Sequence, residues 1–320
     1  MRWRPEEFSV RYNLLFPLYA HLPPGLGYRL AGHQAGFFRQ KRAEEEACIR
    51  DQMLGAFPSA SGQQLGAWLD DYYRMVEQEA LDAWYLQRQP IGAIVELQGF
   101  AAVEQARRQG RRVLLTGGHF GRYWMAGPAM RALGHTTGTI TRDGGDENIH
   151  GLHPAEYRYR LFKLQCLRQA LGGPFLVEGD DLRPLYKALN NHLIALIFDV
   201  PYVEAHKGVV TVKFISGTID LPAGIYRIAK KTKAVIAPFF MRDLGNGRVR
   251  AEFSALLDPF DYDETALMGL LAGQLEQRIR ESPGHWWLWP ALPLLRSSNN
   301  NEPGRKNFAS GREPLAQPDY

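Results

Sequence analysis

One histidine in this chain of 320 residues stands where a catalytic base would be placed. The run Arg111-Arg112-Val113-Leu114-Leu115-Thr116-Gly117-Gly118-His119-Phe120-Gly121-Arg122-Tyr123-Trp124 is an apolar strand that ends in two glycines and delivers His119 to the mouth of a helix. Imidazole titrates near neutrality, so it can take a proton from an acceptor hydroxyl or amine attacking an acyl donor and return it to the leaving group. A carboxylate on the second ring nitrogen would fix the tautomer and stabilise the imidazolium. Between Glu104 and Asp143 the sequence holds no carboxylate. The partner must come from elsewhere in the chain.

The elements that must position this histidine are strands alternating with helices. Strand-like runs cover 112–116, 136–141, 175–178, 193–198, 209–214, 235–241 and 248–253, with helical runs at 100–108, 122–133, 155–171, 182–190, 222–230 and 264–280. This alternation predicts an α/β fold, a mostly parallel mixed sheet flanked by helices on both faces. The last two strands flank Leu244-Gly245-Asn246-Gly247, a hairpin signal that predicts an antiparallel edge. Pro222 reads as a helix start. Ligands of parallel sheets bind at the carboxyl ends of strands. Three strands end in reactive groups: His119, Glu178 (with Asp180 and Asp181 beyond it) and Asp199. Gly117, Gly118 and Gly121 leave room for a substrate near the backbone, and the Gly121 and Arg122 amides could face an oxyanion or a phosphate.

Residues 1–93 read as an amino-terminal helical region, 94–296 as the α/β domain, and 297–320, poor in apolar residues, as a disordered tail. Helical spacing runs through Phe8, Tyr12, Leu15 and Tyr19, and again from Ser61 to Tyr85. Between them Phe37 and Phe38 lie among Arg39, Lys41 and Arg42, which suits either docking on an anionic bilayer or a packed hairpin with a basic face. The formal net charge of +4 permits an acidic partner but is no nucleic-acid footprint. Two cysteines, Cys48 and Cys166, fit neither a disulfide framework nor a metal spacing, and reduced thiols are expected. No run approaches the ~20 apolar residues of a spanning helix, and prolines interrupt any leader-like core, so a cytoplasmic location is expected.

Phosphate-loop, GxGxxG and GxSxG patterns do not fit. Asp146, Glu147, His150 and His153 match no standard metal spacing and read as a solvated loop. No metal or tightly bound cofactor is expected. Arg158, Arg160 and Arg168 share a helix, but Arg158 and Arg168 are not on one narrow face, so at most some of them reach a phosphate. Trp286, Trp287 and Trp289 read as packing rather than as a stacking platform.

Several segments together resemble one family. They are Arg50-Asp51-Gln52-Met53-Leu54-Gly55-Ala56-Phe57-Pro58, Val95-Glu96-Leu97-Gln98-Gly99, Gly118-His119-Phe120-Gly121, Phe198-Asp199, Val212-Lys213-Phe214-Ile215-Ser216-Gly217, Leu221-Pro222-Ala223-Gly224 and Ser282-Pro283-Gly284-His285-Trp286. In order and spacing the chain resembles the lipid A late acyltransferases (lauroyl/myristoyl type) of the lysophospholipid acyltransferase superfamily. The resemblance implies a glycerolphosphate acyltransferase-like fold and a membrane-associated enzyme. The implied donor is acyl carrier protein or coenzyme A, as acyl-ACP or acyl-CoA, and the implied acceptor is a lipid or another amphiphile. It also implies a peripheral place at the inner membrane. The family motif is His followed, after four residues, by Asp or Glu. His119 matches the base, but the acid position is Trp124, and tryptophan cannot accept a hydrogen bond from imidazole.

Two accounts follow. Either a carboxylate from another strand end orients His119, with Asp199 first and Glu178 second, or the chain keeps the pocket as an inactive lipid- or carrier-binding protein. Gly118, Gly121, Arg122, Trp124, Arg158 and Lys213 are expected around the substrate, with Arg122 as the phosphate or headgroup contact.

Overall fold

Apolar runs with almost no polar interruption need cover on both faces, and the central strands of this protein receive it. The computed structural model describes residues 7–39, 42–88, 90–141, 148, 151–177, 181–201 and 208–296. Its strands are β1 (Val95–Gln98), β2 (Val113–Gly117), β3 (Thr137–Thr141), β4 (Gly172–Val177), β5 (Leu193–Ile197), β6 (Val209–Phe214), β7 (Gly217–Pro222), β8 (Val235–Gly245) and β9 (Arg248–Phe253). Seven of them form one sheet in the order β1-β9-β8-β2-β5-β3-β4, while β6 and β7 pair as a separate ribbon. From β8 to β4 all neighbours are parallel, β9 runs antiparallel to β8, and β1 runs parallel to β9. This is the mostly parallel mixed sheet expected.

The helices are α1 (Glu7–Val10), α2 (Phe16–Tyr19), α3 (Pro24–Arg39), α4 (Ala43–Ala56), α5 (Gly62–Leu86), α6 (Ala101–Arg108), α7 (Ala126–Ala132), α8 (Pro154–Leu171), α9 (Arg183–Ala188), α10 (Gly224–Thr232), α11 (Glu264–Glu281) and α12 (Leu292–Leu295). Side chains alternate across the sheet. Leu114, Ile194 and Ile236 face a core shared with α9, α10, α11 and Trp286 to Trp289. Val113, Leu115, Leu193, Val235 and Ala237 face a second core with α6, α7 and α8. The long helix α5 joins the two. Its first turn is held by a capping box between Ser61 and Gln64. Leu65, Leu69 and Tyr72 enter the first core, and Leu81, Ala83 and Tyr85 the second.

Several elements differ from the sequence expectation. The antiparallel edge is not β9, because β1 covers it. At four residues β1 is too short to display a period-2 pattern, and its Glu96 sits between Arg248 and Arg250 of β9. Pro222 ends β7 rather than opening a helix, since Leu221 and Pro222 pair back onto Val210 and Val209. Helix α4 carries a narrow buried stripe, Ile49, Met53 and Ala56, behind the acidic run Glu44-Glu45-Glu46, and this polar surface masks its helical period. Residues 297–320 lie outside the described residues.

Candidate active site

The geometry of β2 decides where His119 goes. Gly117 stands where a Cβ would meet the Phe239 carbonyl oxygen at 2.5 Å, so only glycine lets β2 approach β8 this closely at its end. Gly118 serves a different purpose from the one expected. A Cβ there would meet the Leu275 methyls at 2.8 Å and Asp199 Oδ2 at 3.0 Å, so the space it leaves is filled by the chain itself, not by substrate.

Asp199 follows β5, the parallel neighbour of β2, and comes up beside the histidine. Its Oδ1 lies 2.8 Å from His119 Nδ1. The His119 backbone N–H donates to both carboxylate oxygens, at 2.9 and 3.0 Å. The Trp286 indole Nε1 donates to Oδ2 at 2.9 Å. Asp199 is fully buried and His119 nearly so. A carboxylate given this many N–H donors is held as an acceptor. Facing it, Nδ1 carries the ring proton, and Nε2 is left as the basic nitrogen.

The segment 119–121 is itself clamped. Phe120 bridges antiparallel to Trp286. The Gly121 N–H donates to the His285 carbonyl at 2.7 Å, and the Trp287 N–H donates to the His119 carbonyl at 2.9 Å. The Trp287 indole reaches the Gly121 carbonyl at 2.7 Å. The Gly121 amide is therefore occupied and is not the oxyanion donor expected. Gly121 itself has φ +62°, which glycine adopts at low cost.

Arg122 does not reach toward a headgroup. Its guanidinium is buried, 2.7 Å from Asp82 on α5, bonded to the Gly247 carbonyl and stacked over the Tyr28 ring at 4.3 Å. Burial pushes the Asp82 carboxyl up to about 7, against the pull of Arg122. Asp82 also accepts the Tyr28 hydroxyl at 2.5 Å. This is an internal tie between α5 and the histidine loop.

Trp124 is likewise turned inward. It lies in a 3₁₀ turn, Tyr123–Met125, that precedes α7, and its indole N–H donates to the buried Glu79 carboxylate. Lys163 of α8 pairs with the same carboxylate at 2.5 Å and lies over the Trp124 ring. Trp124 thus donates to Glu79 and takes no part in orienting the imidazole. The ring beside the imidazole is that of Tyr123, edge-on with centroids 5.1 Å apart. Burial pushes the Tyr123 hydroxyl pKa up, with Glu79 and Asp199 adding to it, so the group stays protonated.

The remaining expected residues fall elsewhere. Arg158 is exposed on α8, Lys213 is exposed on the β6–β7 ribbon, and Arg168 lies over Phe175. Glu178, Asp180, Asp146, Glu147 and His150 lie outside the described residues. His153 caps α8 through its ring nitrogen and stacks on Phe8. Among the described residues no group of three potential ligands gathers as a metal site. Both cysteines are unpaired, Cys166 buried and Cys48 half-buried.

These features define the class: an α/β protein with a histidine–carboxylate pair at the carboxyl edge of a parallel sheet, on two neighbouring strands. A sequence profile described as bacterial lipid A biosynthesis acyltransferase matches residues 12–292, and the chain belongs to that acyltransferase family. No curated protein sequence matches it. Among solved structures, the 1-acyl-sn-glycerophosphate (LPA) acyltransferase PlsC from Thermotoga maritima is similar at 15% identity and a TM-score of 0.34, over 84% of this chain and 96% of that one.

Trp286, which joins Asp199, escaped the sequence reading as a site residue. Its one signal was membership of the Ser282–Trp286 segment of the family resemblance. Tyr123 carried no signal at all, because the register of a 3₁₀ turn decides which of two adjacent aromatics meets the imidazole.

Proposed function

We propose that this acyltransferase moves an acyl group from a carrier-protein or coenzyme A thioester to a hydroxyl or amine of a lipid, glycolipid or natural-product acceptor. His119 is the general base and Asp199 its orienting partner. The observation that carries the reading is the 2.8 Å contact between Asp199 Oδ1 and His119 Nδ1, which supplies the carboxylate that position 124 lacks.

In this scheme the acceptor O–H or N–H donates its proton to Nε2 as the acceptor attacks the thioester carbon. The tetrahedral intermediate collapses, the C–S bond breaks, and the imidazolium returns the proton to the departing thiolate. Atoms balance as acyl thioester plus acceptor giving acyl ester or amide plus free thiol. Asp199 stabilises the imidazolium between the two proton transfers.

A peripheral place at the cytoplasmic face of the inner membrane belongs to the same reading. No described helix is long and apolar enough to cross a membrane. Leu14, Leu18 and Phe37 are 60, 56 and 62% exposed, and these amino-terminal apolar groups could enter the headgroup region. Phe38, by contrast, is buried against Arg11.

A screen of acyl carrier protein and coenzyme A thioesters of graded chain length against lipid and amine acceptors, with mass detection of product, tests the proposal. An acylated acceptor together with free thiol is the expected result. Tight donor binding without product in any pair would favour the inactive binding protein instead.

A further inference from the structure

A base needs its orienting acid held still, and among the described residues the Trp286 side chain holds it. We propose that Trp286 is a positioning residue for the reaction, its indole N–H fixing the rotation of the Asp199 carboxylate so that Oδ1, rather than either oxygen, faces His119 Nδ1. The proposal rests on the assignment of His119 and Asp199 made above.

Three observations carry it. Asp199 has two oxygens, and the His119 backbone N–H lies almost equally far from both, at 2.9 and 3.0 Å, so this bond does not choose between them. The Trp286 Nε1 bond, at 2.9 Å, reaches Oδ2 alone. It thereby leaves Oδ1 for the imidazole at 2.8 Å. Second, the indole cannot move. Trp286 is fully buried, tilted against Phe214 with centroids 5.5 Å apart and set edge-on against Trp289 at 5.0 Å. Third, its backbone is tied to the base. Phe120 bridges to Trp286, while His285 and Trp287 exchange hydrogen bonds with Gly121 and His119 on either side. One short segment thus positions the histidine through its main chain and the acid through its side chain.

The flanking tryptophans provide a matched comparison. Trp287 Nε1 donates to the Gly121 carbonyl and Trp289 Nε1 to the Pro283 carbonyl, both at 2.7 Å. Trp289 is as buried as Trp286, but its N–H goes to Pro283 rather than to Asp199. Loss of its N–H affects packing and stability alone.

The test compares Trp286→Phe with loss of the Trp289 N–H alone and with His119→Ala, reading both turnover and the nitrogen resonances of the His119 ring across pH. For Trp286→Phe, kcat falls about 10-fold with KM unchanged, the low end of what a hydrogen bond to a charged group is worth. The His119 titration moves upward, since a carboxylate that has lost a donor holds the imidazolium more strongly. Benzothienylalanine at position 289, which removes the Trp289 N–H and keeps the ring packed against Trp286, changes neither. If Trp286→Phe does not fold, benzothienylalanine at position 286 keeps the ring shape and removes only the N–H. An unchanged His119 titration and tautomer in the Trp286 variant overturns the proposal. Wild-type turnover in His119→Ala would instead overturn the underlying assignment, so the two failures are distinguishable.

Discussion

Replacing Asp199 with asparagine removes one charge and exchanges one oxygen for an amide nitrogen, and the surroundings leave the new side chain no good orientation. With the amide oxygen toward His119, the 2.8 Å bond to Nδ1 survives, but the NH₂ group then faces the Trp286 N–H across 2.9 Å. Two donors then oppose each other in a fully buried place, which costs about 1–3 kcal/mol of stability. With the amide reversed, Trp286 is satisfied and the NH₂ faces Nδ1. The ring proton is then driven to Nε2, and the base is in the wrong tautomer. Either way the imidazolium loses its counter-charge. In the serine-protease triad the same exchange lowers the rate by ~10⁴. For Asp199→Asn a fall of ~10³–10⁴ in kcat is expected, equivalent to about 4–5.5 kcal/mol of barrier, with KM for the thioester changed by less than about 3-fold. The assay is steady-state transfer monitored by thiol release, with thermal unfolding run in parallel. A kcat within about 3-fold of wild type would refute the reasoning, and equal losses in kcat and donor affinity would make Asp199 a binding group.

Other outcomes follow from neighbouring geometry. Gly118→Ala places a methyl 3.0 Å from Asp199 Oδ2 and 2.8 Å from Leu275, and steady-state kinetics should show at least a ~10-fold loss of kcat as the carboxylate is displaced. Trp124→Phe removes one donor from buried Glu79 and leaves Lys163 in place. Chemical denaturation should show a loss of about 1–2 kcal/mol while turnover stays near wild type. Asp82 gives a pH signature. Its folded carboxyl holds the proton to about 7, whereas an unfolded aspartate releases it near 4. The stability it contributes is therefore fully present below about pH 4 and lost as pH rises through about 7. Urea midpoints across that range should fall more steeply in wild type than in Asp82→Asn.

Much of this was legible in the chain because strong local patterns carry strand and helix information. The apolar runs at β2, β5 and β8, buried on both faces, announce a parallel sheet, and that sheet brings its carboxyl ends together. The same rule gathered His119 and the strand-end carboxylates Asp199 and Glu178 into one crevice, although 80 residues separate His119 from Asp199, and the choice of Asp199 came from the family resemblance. What the sequence hid depends on direction rather than type. Arg122, next to two glycines and a histidine, reads as a solvent-facing cation. It is buried only because Asp82, Tyr28 and the Gly247 turn converge on it from distant segments. Trp124 occupies the family's acid position by count, yet the 3₁₀ turn swings it to Glu79 and sets Tyr123 against the imidazole. The glycine of Gly118 was visible, but what fills its missing side chain was not, since Leu275 lies on α11, far along the chain.

The central claim is that His119 is the base, and removing the imidazole tests it most directly. His119→Ala, compared with wild type on the best donor and acceptor from the screen, should lose ~10²–10⁴ in turnover while its circular dichroism and unfolding transition stay those of a folded protein. Wild-type turnover in that variant would contradict the account.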